Sequence, residues 1–154
     1  MIELCLLLSE GIKKERESRE FYALHGRDAK QKDLRALFEM LAREEEEHER
    51  VLEAMQKRKT CSLDPLGKPA SLNAKPPKIA ESFARSEDAG EFSTTLLAAM
   101  SFEQKSKGFY EALVLATEKA EDKKVFASLA GFEQRHYELL NEMYEQLNYF
   151  RLQT

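Results

Sequence analysis

Residues 34–55 read LRALFEMLAREEEEHERVLEAM, and the spacing inside this stretch decides the fold. Leu34, Phe38, Leu41, Glu45, His48, Leu52 and Met55 recur every three or four residues, the period at which side chains return to one face of an α-helix. Phe126, Leu129, Glu133, His136, Leu140, Met143 and Leu147 trace a second such stripe. A third runs through Phe92, Leu96, Ala99, Glu103, Ser106, Tyr110 and Leu113, and a fourth through Leu8, Ile12, Glu15, Ser18 and Tyr22. These stripes predict four long helices, about 2–27, 30–58, 90–118 and 121–150. The short breaks near 28–33 and 118–122 turn them into two antiparallel hairpins. All four prolines (Pro65, Pro69, Pro76 and Pro77) fall in a connector spanning about 59–89, which holds at most a short helical turn around 79–85. No β-type alternation and no Asn-Gly or Asp-Gly hairpin signal occurs elsewhere. The expected fold is all-α: a four-helix bundle of two antiparallel helix hairpins joined by a long crossover, one domain over 1–154.

Composition agrees with one globular unit and excludes several classes of function. The 154 residues are 42 % hydrophobic and 34 % charged, and the mean hydropathy is −0.58. A sizeable core fits that composition; a membrane protein does not. The apolar run Leu4 to Leu8 is far short of the ~20 residues a membrane span needs. It also lacks the basic flank and cleavage site of a secretory signal. Cys5 and Cys61 form no C-x-x-C pair, so a disulfide framework, a zinc ribbon and a four-cysteine iron site are excluded, and a reducing cytoplasm is the expected setting. With a net charge of −4 and basic residues mixed among acidic ones, nucleic acid is not an expected partner.

An apolar helical stripe by itself signifies only a core. These stripes, however, are interrupted at mid-helix by Glu15, Glu45, His48, Glu103, Glu133 and His136. A carboxylate buried there costs several kcal/mol unless it is paired or bound to a metal. The two halves of the chain also repeat: Glu15 and Glu103, Tyr22 and Tyr110, Glu45 and Glu133, and His48 and His136 are each 88 residues apart. That offset filters a very acidic chain. In the first half only Glu3, Glu15 and Glu45 meet a glutamate in the second, and Glu3 lies off the stripe and over three turns from Glu15. Glu44, Glu46, Glu47 and Glu49 meet Phe132, Gln134, Arg135 and Tyr137, which predicts that most of this acidic run is a solvated face. His25 meets Leu113 and is expected at the surface or a helix end.

A single Glu-x-x-His is a weak signal in so acidic a sequence. Two copies in register, each 30 residues after an on-stripe glutamate, are a strong one. In each hairpin the lone glutamate and the Glu-x-x-His pair lie equally far from the turn, about 23 Å along the axis. Positions i and i+3 share one side of a helix, so both side chains of the pair reach one centre. Facing hairpins then supply four carboxylates and two imidazoles, the constellation of a di-iron or di-manganese carboxylate site. Four negative charges balance two divalent cations, and this oxygen-rich ligation suits iron or manganese.

At these residues the chain resembles the rubrerythrin-like branch of the ferritin-like superfamily. The matching text is ERESREFY (15–22) with LFEMLAREEEEH (37–48), and EQKSKGFY (103–110) with VFASLAGFEQRH (125–136). The resemblance implies a ferritin-like bundle in which Glu45 and Glu133 bridge two irons. Glu15 and Glu103 are then terminal carboxylates, His48 and His136 terminal imidazoles, and Tyr22 and Tyr110 hydrogen-bond to the ligands. Rubrerythrins proper carry a rubredoxin-like domain with four cysteines, which this sequence does not supply. They also carry a further glutamate three residues after the third-helix ligand, where this chain has Ser106. The implied centre is therefore closer to a simple symmetric ferritin-like one. The resemblance implies reduction of hydrogen peroxide or dioxygen, with an external electron donor such as a rubredoxin or another reductase. The alternative it leaves open is ferroxidase-type iron storage or handling. Because each hairpin carries half a site, a homodimer is expected, with or without exchange of hairpins.

Overall fold

The computed structural model describes residues 2–57 and 69–152. The first part of the expected connector, with Cys61 and Pro65, lies outside the described residues. Four long helices are present where the periodicity puts them: α1 (Ile2–Asp28) and α2 (Lys32–Gln56), then, after a four-residue α3 (Glu81–Ala84), α4 (Asp88–Ala116) and α5 (Ala120–Arg151). No strand occurs among the described residues. α1 pairs with α2 and α4 with α5 as hairpins, and α1 meets α4 between them.

Local chemistry sets the ends of these helices. Thr117 and Lys119 hold extended backbone (ψ 134° and 124°), which stops α4 two residues short of the expected end. Glu121 and Asp122 then occupy the first turn of α5, where acidic side chains favour the positive end of the helix dipole. Gly26, near the end of α1, lies where an added Cβ would approach the Cβ of Phe38 to 3.2 Å, so the hairpin closes tightly at that point.

Each long helix crosses from one apolar cluster to another. The cluster at one end of the bundle contains Tyr22, Phe38, Leu41, Leu96, Leu139 and Met143. The other contains Leu8, Leu52, Tyr110, Leu113, Phe126 and Leu129. Burying side chains of this kind contributes about 1.5–3 kcal/mol each. In every helix the stripe glutamate or Glu-x-x-His pair falls between its contributions to the two clusters. The bundle thus holds a polar layer at mid-height, sealed above and below by hydrocarbon.

The visible part of the crossover is tied to α5. It has a 3₁₀ turn at Ala70–Leu72. Arg135 donates through Nε to the Ser71 carbonyl (2.9 Å) and through Nη2 to the Ala74 carbonyl (2.6 Å). Further along, the Ile79 amide donates to Gln146 Oε1 (2.9 Å), and Gln146 Nε2 donates to the Pro77 carbonyl (3.2 Å). No helix among the described residues is long and apolar enough to cross a membrane.

Candidate metal centre

All six stripe residues meet in the polar layer, and none is more than 2 % exposed. They form two groups whose candidate ligand atoms lie within 4.8 Å of one another: Glu15, Glu45, His48 and Glu133, and Glu45, Glu103, Glu133 and His136. Glu45 and Glu133 belong to both groups, whereas each lone glutamate and each histidine belongs to one. His48 Nδ1 lies 3.2 Å from Glu133 Oε1 and 3.5 Å from Glu15 Oε2. His136 Nδ1 lies 2.8 Å from Glu45 Oε1 and 3.4 Å from Glu103 Oε1. The two imidazoles are 6.0 Å apart and nearly parallel.

These short distances are not a satisfied hydrogen-bond network. Both oxygens of Glu45, Oε2 of Glu15, Glu103 and Glu133, and Nδ1 of His136 are buried without a hydrogen-bond partner. Buried carboxylate oxygens are rarely left so, because each forfeits its hydration for nothing. Apart from the hydrogen bond between His48 Nδ1 and Glu133 Oε1, these atoms crowd together without bonding one another, an arrangement suited to a common third partner. Oxygen donors with one imidazole per group fit a pair of divalent cations such as iron or manganese.

Electrostatics within the layer point the same way. Burial raises the Glu45 carboxyl well above its ordinary range, and the nearby Glu15 and Glu103 raise it further. Glu133 is raised by burial and then by Glu103 and Glu15. Glu15 goes the other way, down to about 2: burial opposes its ionisation, but the attraction of His48 and the surrounding hydrogen bonds prevail. For His136, burial opposes the charged form, yet the carboxylates around it, Glu103 foremost, raise it well above its usual value. Without cations, burial and the neighbouring carboxylates disfavour ionisation of the two shared carboxyls, and bound cations would offset that.

The tyrosines cross between hairpins. Tyr22 on α1 donates its hydroxyl to Glu103 Oε1 on α4, and Tyr110 on α4 donates to Glu15 Oε1 on α1. Both phenols are fully buried, and burial followed by the neighbouring carboxylates raises their pKa well above the ordinary value, so they stay protonated and act as donors. Each bond occupies one oxygen of a lone glutamate and leaves the other facing the layer unpartnered. Ser106, three residues after Glu103 on α4, is 4 % exposed.

One expectation needs correction. The acidic run around His48 is not mostly a solvated face, because Glu44 and Glu49 are each only 5 % exposed. Glu44 Oε1 lies 3.3 Å from His136 Nε2, and Glu44 accepts both the Ser71 hydroxyl (2.5 Å) and the Ser71 amide (3.2 Å). Glu49 is held by Arg16 (3.0 Å) and Arg19 (3.1 Å) from α1. Both glutamates are buried because partners from other elements reach them, which the 88-residue offset cannot register. Glu46 pairs only along its own helix, with Arg50 at 3.0 Å, and Glu47 is exposed. His25 lies half-buried at the end of α1 against the Phe21 ring and takes no part in the cluster.

Residues 7–144 match the protein-family model described as Rubrerythrin. Comparison with curated proteins and with solved structures gives no match.

Proposed function

The chain belongs to the rubrerythrin family, and from that premise we propose that it is a di-iron redox protein. It reduces hydrogen peroxide or dioxygen at the mid-bundle layer, using electrons from an external donor. The observation that carries the reading is the pair of four-residue groups sharing Glu45 and Glu133 inside a sealed core. In this reading Glu45 and Glu133 would be shared by two metal ions, Glu15 and His48 would complete one position, and Glu103 and His136 would complete the other. Two ferrous ions, when bound, supply the two electrons such a reduction consumes.

The protein's own part follows from the geometry. Four ionised carboxylates match the charge of two divalent ions, so the loaded layer is neutral and its burial no longer opposes ionisation. Tyr22 and Tyr110 each fix one oxygen of Glu103 and Glu15, which orients the other oxygen toward its ion. The apolar clusters on either side limit water at the layer and keep both ligand sets rigid. With two cysteines, this sequence offers no four-cysteine iron site of its own, so the donor, a rubredoxin or another reductase, comes from outside it. Manganese fits the same ligands, and a homodimer in a reducing cytoplasm completes the proposal.

The test is to load the protein anaerobically with ferrous iron and add peroxide or oxygen in a stopped-flow spectrometer. Oxidation of about two irons per chain, followed by repeated turnover when a reductant is supplied, is the expected result. Slow single-turnover oxidation with retention of many irons per chain would replace this reading with iron storage.

A further inference from the structure

Resting on the two-metal reading, we propose that Glu44 is a positioning residue that makes the two metal positions unequal. The position served by His136 fills first and holds its ion more tightly than the one served by His48.

The two histidines occupy repeated places and turn the same atom, Nδ1, toward the shared carboxylates. What lies behind their rings is not repeated. His136 Nε2 faces Glu44 Oε1 at 3.3 Å. The residue 88 positions after Glu44 is Phe132, and its ring stacks on His48 at 5.5 Å with an interplanar angle of 16°. An imidazole that ligates through Nδ1 must carry its proton on Nε2. A carboxylate at Nε2 accepts that proton, selects the ligating tautomer and strengthens the donor atom on the opposite side of the ring. A phenyl face fixes the plane of His48 but accepts no hydrogen bond in the ring plane.

Glu44 is itself held in place. Its two oxygens accept the hydroxyl and the amide of Ser71, a residue with no exposed surface. The Ser71 carbonyl in turn accepts from Arg135, the residue beside His136. The crossover thus closes a ring of contacts from α2 through Ser71 to α5 and back to His136. Among the described residues, this support reaches only the position served by His136. Second carboxylates of this kind are worth about 10–100-fold in metal affinity.

The experiment is a titration of the full chain, freed of metal by chelation, with Mn(II), reading free ion by its electron paramagnetic resonance signal. Two steps separated by about tenfold or more are expected. In Glu44→Ala the tighter step weakens by about that factor and the weaker step stays in place. Glu44→Gln, which keeps a carbonyl acceptor, restores part of the loss. Ser71→Ala weakens the tighter step in the same direction by less. Imidazole ¹⁵N shifts of the Zn(II)-loaded protein give an independent readout: the Nε2–H signal of His136 should sit further downfield than that of His48 and lose this difference in Glu44→Ala. Thermal melts of the metal-free variants show whether the fold is intact. Two equal steps in the unaltered protein, or equal weakening of both steps in a folded Glu44→Ala, would overturn the inference while leaving the two-metal reading standing. Failure of the unaltered protein to bind about two ions per chain would overturn that reading, and this inference with it.

Discussion

The hairpin α1–α2 and the hairpin α4–α5 carry the same four polar residues in the same register, yet they stand in different surroundings. Glu15 with Tyr22, and Glu45 with His48, return as Glu103 with Tyr110, and Glu133 with His136. Every one of these eight side chains is buried, and each tyrosine bonds the lone glutamate of the opposite hairpin. Around them the repetition fails. Glu44, Ser71 and Arg135 support one side, while Phe132 and the trio Arg16, Arg19 and Glu49 shape the other. The two groups of candidate ligands match residue for residue, which is why the 88-residue repeat registers them. The described part of the connecting segment supports the His136 side, and that contribution has no counterpart in the repeat.

The sharpest test of the paired part compares shared with unshared ligands. Glu45→Ala or Glu133→Ala removes a residue common to both groups, and the protein should fall from about two metal ions per chain to nearly none by mass spectrometry. Glu15→Ala or Glu103→Ala removes a ligand from one group only and should cost about one ion. Equal losses from all four variants would break the division into bridging and terminal roles.

Next in size is the pH dependence of the metal-free protein. Glu45 and Glu133 have folded-state values well above the ordinary 4.5, so the folded protein binds more protons than the unfolded chain once pH exceeds that value. Stability therefore declines as pH rises from there through the raised values. His136, raised above 6.5, adds to the same trend: its contribution is full below 6.5 and is lost as pH rises through the folded value. Glu15 acts oppositely, stabilising above 4.5 and losing that contribution as pH falls toward about 2. The melting temperature in chelator should therefore drop as pH is raised from 4.5 through 6.5 and beyond, and added Mn(II) should reverse the slope because each ion displaces protons. A metal-free melting temperature that rises over that interval would refute the assignment of protons to the shared carboxyls.

Smaller still, and aimed at the symmetry itself, are Tyr22→Phe and Tyr110→Phe. Each deletes one hydrogen bond to a carboxylate, worth about 1.5–3 kcal/mol, and leaves the ring in place. The two variants should weaken metal binding by similar factors, since the tyrosines are paired across the hairpins. A much larger loss from one would show that the inequality behind the histidines extends to the lone glutamates.

How much of this the sequence discloses depends on whether a residue acts with its own helix or with a distant segment. The four helices follow from apolar spacing alone, because a helix face is a local property, and the six layer residues follow from a repeat of ionisable groups where only hydrocarbon is expected. The repeat pairs the two tyrosines and the family resemblance implies that they bond the ligands, but their crossing from one hairpin to the other is visible only once the hairpins face each other. Glu44 and Glu49 are misread because their burial depends on Ser71 in the crossover and on Arg16 and Arg19 in α1, and no local period encodes those partners. The offset that isolates Glu45 from its neighbours also discards Glu44, whose counterpart is Phe132.

That lesson is open to its gentlest check within four consecutive residues. Glu44, Glu45, Glu46 and Glu47 are chemically identical and differ only in the direction each leaves α2. Glu45 points into the layer, Glu44 toward Ser71 and His136, and Glu46 along the outside of the helix toward Arg50. An exposed pair four residues apart on a helix is worth about 0.3–0.5 kcal/mol, so Glu46→Ala should shift stability by no more than that and leave metal content at the native level. Metal loss in Glu46→Ala equal to that in Glu45→Ala would mean that the acidic run binds ions by accumulated charge and not by the direction of individual side chains. The whole distinction between the paired layer and its unpaired surroundings would then fail, because accumulated charge has no register to repeat.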